Sequence, residues 1–202
     1  MVRALVVYYS LSGTTKQVAD ILISELQKKG IDTVVEVIKC AQAEGVGMAK
    51  QGFRTVTGTK YNLDNPPEND PRQFEFVFIG APVWSFGNIP VPEQWMKSVQ
   101  FDIDKTKFGA FVPYLLESYS KLFGLYNRVF NKIEKAIGKP LTAKVAILQK
   151  EVKEHPETVL QKIEDLINGV IPGDNTTSVP STENVTEVEQ IDVETKEENK
   201  TE

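Results

Sequence analysis

The chain has one cysteine, Cys40, and one histidine, His155. A lone cysteine forms no intrachain disulfide, and the two counts together exclude a cysteine-rich metal site and a histidine-clustered zinc or iron centre. No apolar run reaches the roughly 18 residues that a bilayer-crossing helix needs. The opening stretch, Met1 to Ser10, carries one cation and a short β-branched run but no small-residue cleavage site, so it reads as a buried strand and not as a secretory signal. Basic residues are in deficit, 23 Lys and Arg against 28 Asp and Glu, for a net charge of -5. What is present is ordinary for a globular chain of 202 residues: 41% apolar and 25% charged. These features favour a cytoplasmic protein whose chemistry rests on oxygen and nitrogen groups or on an organic cofactor.

The negative charge is concentrated at one end. Between Asp174 and Glu202 there are nine acids and two lysines, a net -7 that leaves residues 1–173 slightly positive. That stretch has no aromatic residue and is rich in Thr, Ser, Asn and Val. It has too little apolar area to offset the entropy of ordering, so residues 171–202 are expected to form a disordered acidic tail. Asn175, Asn184 and Asn199 fit the glycosylation pattern but lack the secretory context that would use it. The near-neutral body gives no electrostatic case for nucleic acid.

Residues 1–170 alternate between two periodicities. Val2–Tyr9 is a continuous apolar run, as a strand buried on both faces should be. Thr33–Ile38, Phe76–Ile79, Gly109–Val112 (closed by Pro113) and Ala143–Leu148 supply four more strands. Helical spacing runs from about Thr14 to Lys29, from Pro92 to Val99, from Leu122 to Ile137 and from Pro156 to Asn168, with Gly30, Gly138 and Gly169 as stops. Strand–helix alternation over this length predicts an α/β fold, an open doubly wound parallel sheet of five strands with helices on both faces. Ligands of such sheets bind beyond the carboxyl ends of the strands, at the switch point, so the loops after strands one, three and four are the candidates. One connection is far longer than usual. Residues 40–73 contain Gly45, Gly47, Gly52 and Gly58, a short helix candidate at Met48–Val56, and Lys50, Arg54 and Lys60. They form either a lid over the site or a contact in a homodimer.

Strand one is followed by Ser10-Leu-Ser-Gly-Thr-Thr15, which leads directly into a helix. A helix start presents unpaired N–H groups and a partial positive charge. Four hydroxyls and a glycine beside it make a cradle for a phosphate, although Ser and Thr here also suit ordinary helix caps. The phosphate-loop motif Gly-x-x-x-x-Gly-Lys-Ser/Thr and the dinucleotide motif Gly-x-Gly-x-x-Gly are both absent. From Val6 to Leu22 the sequence resembles the flavodoxin signature, matching at Val6, Val7, Tyr8, Ser10, Gly13, Thr15, Ala19 and Leu22. The resemblance implies a flavodoxin-like fold over about residues 2–169 and FMN as cofactor. Its phosphate would then be held by Ser10, Ser12, Gly13, Thr14 and Thr15.

Strand three ends in Gly80-Ala-Pro-Val-Trp-Ser-Phe-Gly87. A tryptophan at the ligand edge is a stacking partner for a flat cofactor, and Phe86 follows two residues on. Short-chain flavodoxins carry a similar Pro-Val-Trp segment against the isoalloxazine ring. The resemblance thus assigns Pro82, Val83, Trp84, Ser85, Phe86 and Gly87 to the ring, with Gly87 letting backbone amides come close. Trp95, inside the next helix, is expected in the core. The turn after strand four, Pro113 to Ser120, departs from the family's Gly/Ser/Thr-rich pattern. Tyr119, and after it Tyr114 and Ser118, are its candidates for the second ring face and the pyrimidine edge.

The resemblance implies electron transfer through bound flavin, which requires no catalytic side chain. The partner would be a redox protein. An alternative is an NAD(P)H-dependent quinone or flavin reductase, with a small quinone and NAD(P)H as partners. A second is a scaffold that kept the fold and lost the flavin.

Overall fold

The computed structural model describes residues 2–44 and 61–172. Five strands, β1 (Arg3–Tyr8), β2 (Asp32–Val37), β3 (Phe76–Gly80), β4 (Lys107–Tyr114) and β5 (Ala143–Leu148), form one parallel sheet in the order β2-β1-β3-β4-β5. The expected α/β class and five-stranded doubly wound sheet are thus present. Alternation along β1 shows why both faces must be covered. Leu5, Val7 and Tyr9 enter one core, while Ala4, Val6 and Tyr8 enter the other.

The first core is closed by helices α2 (Pro90–Ser98) and α4 (Leu125–Ile137), through Val91, Trp95, Val129, Phe130 and Ile133. The second is closed by α1 (Thr14–Lys28) and α6 (Pro156–Val170), through Val18, Leu22, Leu26, Val159, Ile163 and Leu166. Short helices α3 (Glu117–Phe123) and α5 (Gln149–Glu154) complete the chain order. No helix among the described residues is long and apolar enough to cross a membrane. Nor do these residues contain a group of three or more His, Cys, Asp or Glu suited to a metal ion.

Several boundaries differ from the sequence expectation. β4 does not close at Pro113 but runs through it to Tyr114. In a strand the N–H and C=O of one residue face the same neighbour, and the Pro113 carbonyl faces the β3 side, where it accepts from Val83. The missing N–H therefore falls past Gly80–Phe111, the last β3–β4 pair, where no ladder bond is lost. The helix expected over 122–137 is two helices, because Gly124 adopts φ 57° and ends one as it caps the next. α2 begins at Pro90, since both Pro90 and Pro92 fall in the first turn, where no N–H is needed. α5 has no amphipathic stripe to announce it. It is held by Glu151, which accepts from the Leu148 N–H at 3.1 Å and from the Lys162 ammonium at 2.6 Å.

The long connection is clipped to the sheet edge at both ends of its described parts. The Cys40 thiol donates to the Asn62 carbonyl, the Asp64 N–H to the Lys39 carbonyl (3.0 Å), and the Ala41 N–H to the Asp64 carboxylate (2.9 Å). Met48–Val56, Lys50, Arg54 and Lys60 lie outside the described residues, as does the acidic tail from residue 173 onward.

Candidate functional site

The turn after β1 ends with Gly13 at φ 86°, which seats the first residue of α1 without a side chain in the way. A Cβ built there meets nothing within 4 Å, so the space above the turn is open. No side chain of the capping residue closes the helix end. The Ser10 hydroxyl accepts the Lys16 N–H at 3.2 Å, and the Gln17 N–H reaches the Gly13 carbonyl at 3.0 Å. The N–H groups of Thr14 and Thr15 find no acceptor among the described residues, as expected for the first turn of a helix. Ser12 is exposed, and its hydroxyl lies 3.4 Å from that of Thr14. Thr15 is 2% exposed. The adjacent cation does not enter the turn. Lys16 reaches along the helix to Asp20 at 2.7 Å, and that hydrogen bond raises its pKa. Donor amides, hydroxyls and a helix N-terminus meet at this turn, which itself carries no carboxylate, a donor set suited to a phosphate.

Trp84, after β3, stands beside this turn because β1 and β3 are adjacent. Its ring packs edge-on against Tyr9 (5.9 Å, 68°) and Tyr61 (5.8 Å, 75°) and is half-buried. Val83 is tied by its N–H to the Pro113 carbonyl at 3.1 Å, which joins the loops after β3 and β4. Pro82 and Ser85 are half-buried in the same segment. Phe86 adopts φ 59°, ψ 23° and is 54% exposed. Gly87 has a packing reason for being glycine that the sequence did not show. Its N–H is taken by the Trp84 carbonyl at 2.9 Å, and a Cβ would stand 2.8 Å from the Leu125 carbonyl oxygen and 2.9 Å from Arg128 Cβ. It is required by the close approach of α4.

The turn after β4 offers exposed Leu115 and Leu116 and a buried Tyr114, whose ring lies 5.5 Å from that of Tyr126. Burial first, then the Glu151 and Glu117 carboxylates, push the Tyr114 phenol up in pKa. Ser118 is exposed on α3. The backbone of Tyr119 belongs to α3, and its side chain lies outside the described residues.

Sequence reasoning missed three features of this edge. Tyr9 and Tyr61, which flank Trp84, are buried with hydroxyls that have no hydrogen-bond partner among the described residues. Burial above all, then the nearby Cys40 and Glu44, raise the Tyr9 pKa far above that of a free phenol. Nothing in the local sequence marks Tyr61, which reaches Trp84 only through the long connection. Second, Trp95 is in the core as expected, but its indole N–H donates at 2.5 Å to Glu36, a β2 carboxylate that is 4% exposed. Glu36 also accepts from the N–H groups of Glu68 and Asn69 and from the Asn69 side-chain amide. Third, Asn88 and Lys132 hold the Trp84 loop against α4.

No family model matches the chain, and no curated protein is similar to it. Solved structures are similar in architecture. A flavoprotein from Lactobacillus acidophilus in complex with FMN shares 21% identity at a TM-score of 0.51, over 76% of this chain and 98% of that one. Oxidised flavodoxin 2 from Bacillus cereus shares 12% at 0.54, over 83% and 97%. A flavodoxin variant from Fusobacterium nucleatum bound to flavin mononucleotide shares 13% at 0.51, over 83% and 94%. With the strand order β2-β1-β3-β4-β5, these likenesses establish a flavodoxin-like fold.

Proposed function

We propose that the chain binds FMN at the carboxyl edge of its sheet and acts as a cytoplasmic electron carrier, delivering electrons to a redox partner protein. One observation carries the reading. The acid-free turn Ser10–Thr15, whose Thr14 and Thr15 amides have no acceptor among the described residues, follows Tyr9, and the half-buried indole of Trp84 packs on Tyr9 from the end of the adjacent strand. The donor set fits a phosphate, and Trp84 beside it fits a flat ring.

When bound, FMN supplies the redox chemistry. The chain's own residues supply placement. The Thr14 and Thr15 amides and the hydroxyls of Ser10, Ser12 and Thr14 hold the anionic end. Lys16 stays with Asp20, so dipoles rather than a cation balance the phosphate. Trp84, itself braced by Tyr9 and Tyr61, forms a rigid wall that displaces water from one ring face. The Val83–Pro113 hydrogen bond keeps the two edge loops at a fixed separation.

The test is titration of the apo-protein with FMN. Expected are one-to-one binding, quenched flavin fluorescence, and electron delivery from the reduced complex to a one-electron acceptor such as cytochrome c. Trp84→Ala should recover most of the fluorescence. A wild-type protein giving no spectral change on addition of FMN overturns the proposal.

A further inference from the structure

We propose that Lys132 and Asn88 form a clasp that holds the Trp84–Asn88 turn in the shape that presents Trp84 and Phe86 to the ring, which makes both of them positioning residues. The inference rests on the FMN reading of this edge. Phe86 lies in the left-handed region (φ 59°), a conformation that costs a residue with a Cβ, and its side chain is 54% exposed. With more than half of its side chain exposed, Phe86 has little packing to offset that strain, and the turn's hydrogen bonds hold it.

Asn88 is the residue on which the turn's hydrogen bonds converge. Its carbonyl accepts from the Trp84 N–H at 3.2 Å, while its own N–H (3.3 Å) and side-chain amide (2.9 Å) donate to the Ser85 carbonyl. Its remaining side-chain oxygen accepts from the Lys132 ammonium. This is a charge-assisted bond to a neutral amide, and Lys132 has no carboxylate partner among the described residues. Lys132 lies next to Ile133, which is fully buried in the first core, so the donor is mounted on a fixed element. The clasp therefore transmits the position of α4 to the aromatic loop.

Lys132→Met keeps the aliphatic stem and removes the donor. Amide hydrogen exchange of the apo-protein, with FMN and riboflavin titrations alongside, gives the test. Expected are exchange about tenfold faster at Trp84, Gly87 and Asn88, an unchanged thermal midpoint, and FMN and riboflavin affinities that fall by the same factor, about tenfold. Lys132→Arg should restore both the exchange rates and the two affinities. Unchanged exchange overturns the clasp whether or not flavin binds. Faster exchange with unchanged affinity for both flavins overturns its role toward the ring and leaves the FMN reading intact. Loss of FMN affinity alone places the effect at the phosphate and overturns it too. If the wild-type protein binds neither flavin, the FMN reading fails and the ring-presenting role falls with it. Exchange then still decides whether the clasp holds the loop.

Discussion

Ser12→Asp isolates the phosphate assignment without disturbing the fold. Ser12 is exposed at the lip of the β1–α1 turn, whereas Thr15 is buried and would force a carboxylate into the core. A carboxylate about 4 Å from a unit negative charge is repelled by ~1 kcal/mol in water and ~4 kcal/mol at an effective dielectric of 20. The exposed position makes the lower value the floor, and a phosphate of about -1.5 to -2 nearly doubles it. The expected loss is at least ~2 kcal/mol, about 30-fold in FMN affinity. Riboflavin lacks the phosphate, so its affinity should be unchanged. The apo-protein should be no less stable, because an acid before a helix N-terminus is favourable by ~0.3–1 kcal/mol. Isothermal titration with both ligands at low and high salt reads the effect, and the difference between them should shrink as the charges are screened. Equal loss of both ligands, or no loss of FMN, would refute the phosphate assignment.

Three further outcomes follow from the geometry. Gly87→Ala places a Cβ against the Leu125 carbonyl in a positive-φ residue, so thermal unfolding should show ~2–4 kcal/mol of destabilisation; a loss below ~1 kcal/mol means the loop yields freely. Trp95→Phe removes the indole donor from the buried Glu36. It should cost ~2–4 kcal/mol in denaturant unfolding, and a double-mutant cycle with Glu36→Gln should show coupling; additive effects would contradict the bond. Tyr9 has a raised folded pKa, so its stabilising effect is complete below about pH 10 and is lost as pH climbs toward the folded value. Alkaline stability of the wild type should therefore decline above about pH 10. Tyr9→Phe should flatten that decline and, by removing a buried hydroxyl with no partner among the described residues, leave neutral-pH stability equal or higher; an identical alkaline slope would reject this.

Much of the architecture was legible because hydrophobic periodicity is a local signal. β1 and the inward stripes of α1, α4 and α6 are written in consecutive residues. The mouth at Ser10–Thr15 was legible for the same reason, since strand, turn and helix start are contiguous. What escaped is non-local or sits at a boundary. Pro113 reads as a strand end unless the sheet shows that its missing N–H faces past the last β3–β4 pair. Gly124 reads as tolerable within a helix until its φ shows the break. The packing need of Gly87 comes from α4, 38 residues onward at Leu125. Tyr61 beside Trp84 and Asn88 under Lys132 join residues far apart in sequence, and no spacing rule connects them.

The clip at the β2 edge separates two problems that the chain would otherwise have to solve together. Cys40, Ala41 and Lys39 on the outgoing side and Asn62 and Asp64 on the returning side hold each other directly. The span between them is therefore closed by residues that do not belong to it. Closure entropy rises only with the logarithm of length, ~0.6 kcal/mol per doubling. Trimming or exchanging residues 45–60 should accordingly leave the sheet's register and the Tyr61–Trp84 contact untouched. The molecule thus has a tolerant graft point between Ala41 and Asn62, where the chain can diversify while the scaffold stays constant.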